Sequence, residues 1–147
     1  MKWGIELTIT GLLVGLTVGC IGGNDLPLVP VTGRVTFDGK SCPKSGTILF
    51  VQVPGTGKPG LPTRPARATF GVDGRFEATS FQKGDGLLPG TYQVSISCLE
   101  GEPGPARPKE KISYVPADYQ PPELVVEEGQ DPITVNYDVP FQKPSIL

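Results

Sequence analysis

The chain contains no histidine. That removes the commonest general base and the commonest side-chain metal ligand together. It also excludes the Ser–His and Cys–His pairs of nucleophilic catalysis. No stripe of lysine and arginine occurs, and the net charge is −2. The clustered positive footprint of a nucleic-acid binder is therefore missing from the linear sequence. No helical 3.6-residue periodicity appears after residue 19. The one long apolar run, Leu7 to Gly19, is 13 residues. A membrane-spanning helix needs about 20.

That run follows Lys2 and the free amino terminus and ends in small residues, the order of a secretory signal peptide. Residues 1–19 are read as that signal. Thr17-Val18-Gly19-Cys20 resembles a lipobox, the site at which bacterial lipoproteins are acylated on cysteine and cleaved. Thr17 stands where leucine is usual, and Leu16 sits one residue earlier. The resemblance implies that the mature chain begins at a lipidated Cys20. Residues 20–29, opening with Ile21-Gly22-Gly23-Asn24-Asp25, read as a flexible tether.

About a quarter of the chain is glycine or proline. These residues fall between β-branched and aromatic runs, which favours many short strands joined by turns. Val31 to Phe37 alternates, with Val31, Gly33, Val35 and Phe37 on one face, and Asp38-Gly39 then signals a turn. Thr47 to Val53 is almost continuously apolar and predicts a central strand covered on both faces. Pro54 to Pro65 is too rich in proline for a central strand and reads as an exposed loop. Alternating runs at 66–72 and 75–79 flank Asp73-Gly74, which predicts a β-hairpin. Thr91 to Cys98 places Tyr92, Val94, Ile96 and Cys98 on one face. Gly101 to Pro108 is a second Pro/Gly loop. Short strands are expected at 111–113 and 124–126, and a last one puts Ile133, Val135, Tyr137 and Val139 inward. Seven or eight one-sided strands must bury their apolar faces against each other, which makes an all-β, two-sheet sandwich.

Several of these residues also form a recognisable series: Val31-x-Gly33-x-Val35, Asp38-Gly39, Gly46-x-Ile48-x-Phe50, Asp73-Gly74-x-Phe76 and Leu88-Pro89-Gly90-x-Tyr92-x-Val94. The series resembles the carboxypeptidase-regulatory-like, or transthyretin-like, β-sandwich domain. With Val115-Pro116-x-x-Tyr119 and Leu124-x-Val126, it is similar more narrowly to the small lipoproteins that planctomycete bacteria carry in many copies. The resemblance spans residues 30–139. It implies a prealbumin-like Greek-key sandwich of about seven strands, preceded by a signal-peptide helix, and supplies no catalytic residue. The domain is bounded at 30–140, with a C-terminal tail at 141–147.

The candidate chemistry is sparse. Cys42 and Cys98 are either bridged, which would add about 3–4 kcal/mol on a chain-entropy model, or two free thiols, with Cys98 turned into the core as a small apolar group. Gly55-x-Gly57-x-x-Gly60 matches a dinucleotide fingerprint as a string, but Pro59 and Pro62 forbid the helix that would hold a pyrophosphate. Gly39-Lys40-Ser41 imitates only the end of a phosphate loop. Asp38, Asp73 and Asp85 are isolated in Gly-rich turns and read as turn-stabilising carboxylates rather than calcium ligands. Asn136 has solvent-face parity, and the first strand offers Arg34 but no lysine, which argues against an isopeptide bond.

These readings predict an exported, membrane-anchored lipoprotein with a non-catalytic β-sandwich, a structural or binding module of the cell envelope. Its expected partners are the lipid membrane, through acylated Cys20, and an envelope protein or polysaccharide, through loops 54–65 and 99–110. Neither nucleic acid nor a cofactor is expected. The alternatives are an accessory domain that modulates an envelope enzyme or transport complex and, more remotely, an enzyme.

Overall fold

The computed structural model describes residues 26–101, 112–143 and 145–146. The expected signal-peptide helix, Cys20 and the greater part of loop 99–110 lie outside the described residues. Among the described residues nine strands occur, in the order β1 Val31–Phe37, β2 Gly46–Gln52, β3 Ala66–Phe70, β4 Arg75–Glu77, β5 Gly90–Ser97, β6 Ile112–Ser113, β7 Leu124–Val126, β8 Ile133–Val139 and β9 Ser145–Ile146. The longer strands other than β2 follow period-two runs of the sequence, because alternate side chains point to opposite faces. No helix occurs among the described residues.

Seven strands form two sheets, ordered β4-β1-β8 and β3-β2-β5-β7, and the fold is an all-β sandwich. A two-stranded ribbon, β6-β9, is added beside them. All pairings are antiparallel except β1 with β8. An isolated bridge precedes β1 at Val29. Val29 exchanges both backbone hydrogen bonds with Leu87 and is buried.

The core lies between the sheets. Val31, Val35 and Phe37 of β1 and Tyr137 and Val139 of β8 face Ile48 and Phe50 of β2 and Tyr92 of β5. Phe50, Phe76 and Tyr137 link the layers, with ring centroids 6.5 Å and 6.1 Å apart. Each buried aromatic ring contributes roughly 2–3 kcal/mol by leaving water. Gly33 makes room for this series. It is in register with both Phe76 and Val135. A Cβ at Gly33 would lie 1.7 Å from the Val135 carbonyl oxygen and 2.9 Å from Phe76 Cζ.

Two local expectations are corrected. β2 is central, but only its inner face is covered. Leu49 is half-buried and Val51 is exposed, because among the described residues no layer packs on the outer side of that sheet. Asp73-Gly74 does turn the chain, yet β3 and β4 enter different sheets, and the backbone bridge between the two arms is Arg67 with Thr79, just past β4. The turn is diverted by β1: Val35 donates its N–H to the Gly74 carbonyl at 2.9 Å, so β4 pairs with β1 instead of β3.

Candidate functional site

Asp38, Asp73 and Asp85 all lie in turns of the sandwich, and the carboxylates of Asp73 and Asp85 accept hydrogen bonds within theirs. Asp85 accepts the backbone N–H groups of Ser80, Phe81 and Gln82 at 2.8, 3.0 and 2.8 Å and so folds its loop around itself. Asp73 accepts from the Arg75 N–H at 3.3 Å. Asp38, at φ 48°, and Gly39, at φ 70°, form a two-residue turn closed by Phe37 and Lys40. Asp138 fastens that turn to β8 by accepting from Gly39 N–H at 2.8 Å and Thr36 Oγ1 at 2.7 Å. Those bonds favour the charged form and hold its carboxyl below the usual value. Among the described residues no three acidic or thiol groups converge as metal ligands would.

The two core cysteines are free thiols, each buried, so the structure adopts the second of the alternatives left open for them. Their sulfurs turn to different carbonyls, Cys42 to Val35 at 3.3 Å and Cys98 to Lys44 at 3.5 Å. Burial pushes the Cys42 thiol up to about 11, reinforced by the nearby Cys98 and Asp73, and raises Cys98 as well. Neither has the lowered pKa of a reactive cysteine.

Loop 54–65 is exposed along most of its length, as expected. It is nonetheless tied down: Thr56 bonds to Val53 and Thr91, and Lys58 pairs with Glu128 at 2.7 Å. Gly55 to Gly60 leads into β3 with no helix after it. The Leu88-Pro89-Gly90-x-Tyr92 series forms a closed corner. Tyr92 donates its hydroxyl to the Leu88 carbonyl at 2.9 Å, and Gln52 donates Nε2 to the Pro89 carbonyl at 2.9 Å.

A large concavity lies on the outer, solvent-facing side of β4-β1-β8 and continues across β3. It is an open groove of about 1160 Å³. Arg34, Arg67, Arg75 and Lys83 line it from β1, β3, β4 and the loop before β5, against a single carboxylate, Glu77. Across the three-stranded sheet, Asn136, Arg34 and Arg75 form one row and Thr134, Thr32 and Glu77 the next. The ion pairs among the described residues are Lys44–Glu100 and Lys58–Glu128, so none of the four groove cations is paired there.

Sequence reasoning missed this cluster because its members are far apart in the chain. A trace was present: the arginines at 34, 67 and 75 all occupy the outward parity of their strands, and no other described strand carries a lysine or arginine. The statement that no basic stripe exists is true of the chain order and not of the folded surface. Comparison with known proteins adds no name, since no family model, curated protein or solved structure matches the chain.

Proposed function

We propose that the chain is an exported lipoprotein whose transthyretin-like sandwich serves as a non-catalytic binding module of the cell envelope, tethered through an acylated Cys20. The observation that carries the binding role is the groove. It is large and lined by four cationic side chains, and its one carboxylate has no second acid or histidine beside it among the described residues. Such a surface holds a ligand by charge and hydrogen bonds, whereas general acid–base chemistry needs a proton donor and an acceptor placed on either side of a scissile bond. The anchored role is supported by the order of charge, apolar run and Gly19-Cys20 in the first twenty residues. A single acyl chain binds membranes only marginally, so stable anchoring requires more than one at Cys20.

Intact mass of the protein extracted from membranes tests the anchor. Loss of residues 1–19 together with added acyl mass is the expected result. Cys20→Ser should keep the apolar segment unprocessed and carry no acyl mass. Acylation and cleavage after Gly19 persisting in that variant would overturn the assignment.

A further inference from the structure

We propose that the groove binds an acidic polysaccharide, a sugar chain carrying carboxylates or sulfate esters. This rests on the reading of the chain as a binding module and gives that module a surface other than its loops. Arg34 and Arg75 are direct register partners across β1 and β4, and both are exposed. Like charges directly opposite on neighbouring strands repel and destabilise a sheet. Here no acid is ion-paired with either one among the described residues. Arg67 and Lys83 add two more positive charges to the same groove, on a chain whose net charge is −2. An anion between Arg34 and Arg75 would turn that repulsion into attraction. Planar guanidinium groups donate paired N–H bonds to the oxygens of a carboxylate or sulfate in a fork. The concave wall concentrates the field at that position.

The remaining lining chooses among polyanions. Thr32, Thr79, Thr134 and Asn136 supply hydroxyl and amide groups between the charges, suited to the hydroxyls of a sugar chain. Single-stranded nucleic acid is held largely by bases stacked on aromatic faces. The one aromatic residue along this groove, Phe76, is buried among Phe50 and Tyr137. A bilayer surface favours a basic face with apolar side chains that insert between headgroups. The rim offers none that is both apolar and exposed. An added peptide strand pairs with a free sheet edge. Here β1 already pairs with β4 and β8, and the edges of β4 and β3 that the groove crosses are bridged to each other at Arg67 and Thr79, just past β4. Its volume of about 1160 Å³ exceeds the roughly 300–1,000 Å³ of pockets for single small molecules, which suits a polymer segment rather than one sugar.

The test measures binding of the full chain in neutral detergent to polygalacturonate and to dextran sulfate. Methyl-esterified polygalacturonate, unsulfated dextran, a dT20 oligonucleotide and phosphatidylglycerol vesicles serve as comparisons. Binding to at least one acidic polysaccharide is expected, with its neutral counterpart bound at least tenfold more weakly and the affinity falling as salt rises. Preference for polygalacturonate or for dextran sulfate distinguishes carboxylate from sulfate recognition. Arg34→Gln and Arg75→Gln should each weaken binding about tenfold. Because each also relieves the like-charge pair, its melting temperature should stay level or rise, which separates lost binding from lost folding. Equal binding of the neutral polymers, wild-type affinity in both variants, or tighter arginine-dependent binding to dT20 or to the vesicles would overturn the proposal. Absence of binding by a chain of acylated mass would overturn the groove and leave the anchor standing. Binding accompanied by release of new reducing ends would uphold the groove and overturn the non-catalytic reading.

Discussion

Tyr92 and Tyr137 carry the same phenol into the same core and meet different surroundings. Both are buried, and burial pushes the hydroxyl of each up to about 12. Tyr92 donates to the Leu88 carbonyl, whereas the Tyr137 hydroxyl has no hydrogen-bond partner among the described residues. Removing one partner of a buried bond leaves the other unsatisfied, while removing an unbonded polar atom leaves nothing behind. Tyr92→Phe should therefore destabilise the fold by about 1–2 kcal/mol. Tyr137→Phe should be neutral or stabilising by up to about 1 kcal/mol. Urea midpoints of the two variants check this, and equal losses would show that the Leu88 bond contributes nothing of its own.

At the scale of elements, the Asp73-Gly74 corner decides which sheet β4 joins. Gly74 sits at φ 75°, and a Cβ there would lie 1.9 Å from the Val35 carbonyl oxygen. Gly129 has nearly the same backbone, φ 71°, but open space around it. Gly129→Ala should thus show the left-handed strain alone, about 1–2 kcal/mol. Gly74→Ala should add a clash with β1 and cost about 3 kcal/mol or more, read from the difference in denaturation midpoints. The same corner marks what was legible in sequence. Alternation and short apolar runs identified the seven sandwich strands to within a few residues, and alternation the inward positions of β5 and β8, since both are local properties. The partner of β4 was not legible, because Asp-Gly specifies a turn and not the strand waiting beside it. The one-sided cover of β2 was missed for a similar reason: Val51 is apolar like its neighbours, and exposure depends on what else the fold brings there. The groove was hidden most completely, its arginines having been spread over β1, β3 and β4.

For the molecule as a whole, the buried groups set how stability depends on pH. Cys42, ordinarily near 9.0, is raised to about 11, and Tyr92 and Tyr137, ordinarily near 10.0, are raised to about 12. In each case folding favours the neutral form, and desolvation is the largest cause. At pH values between the unfolded and folded pKa, the unfolded chain binds fewer protons than the folded one, so stability falls as pH rises. The contribution of Cys42 is fully present below pH 9 and is lost as pH climbs toward about 11. The tyrosines follow between 10 and about 12. Asp138 acts in the opposite sense at the acid end. Its carboxyl is held below the usual 3.8 by Gly39 and Thr36, so its contribution is present above that value and is lost as pH falls through the lowered one. Melting temperature should therefore decline on both sides of a neutral plateau. Cys42→Ala should make the decline between pH 9 and 11 shallower, and Asp138→Asn should flatten the acid limb while leaving the alkaline one unchanged. An alkaline limb identical in Cys42→Ala and wild type would show that the thiol is not desolvated in the folded chain.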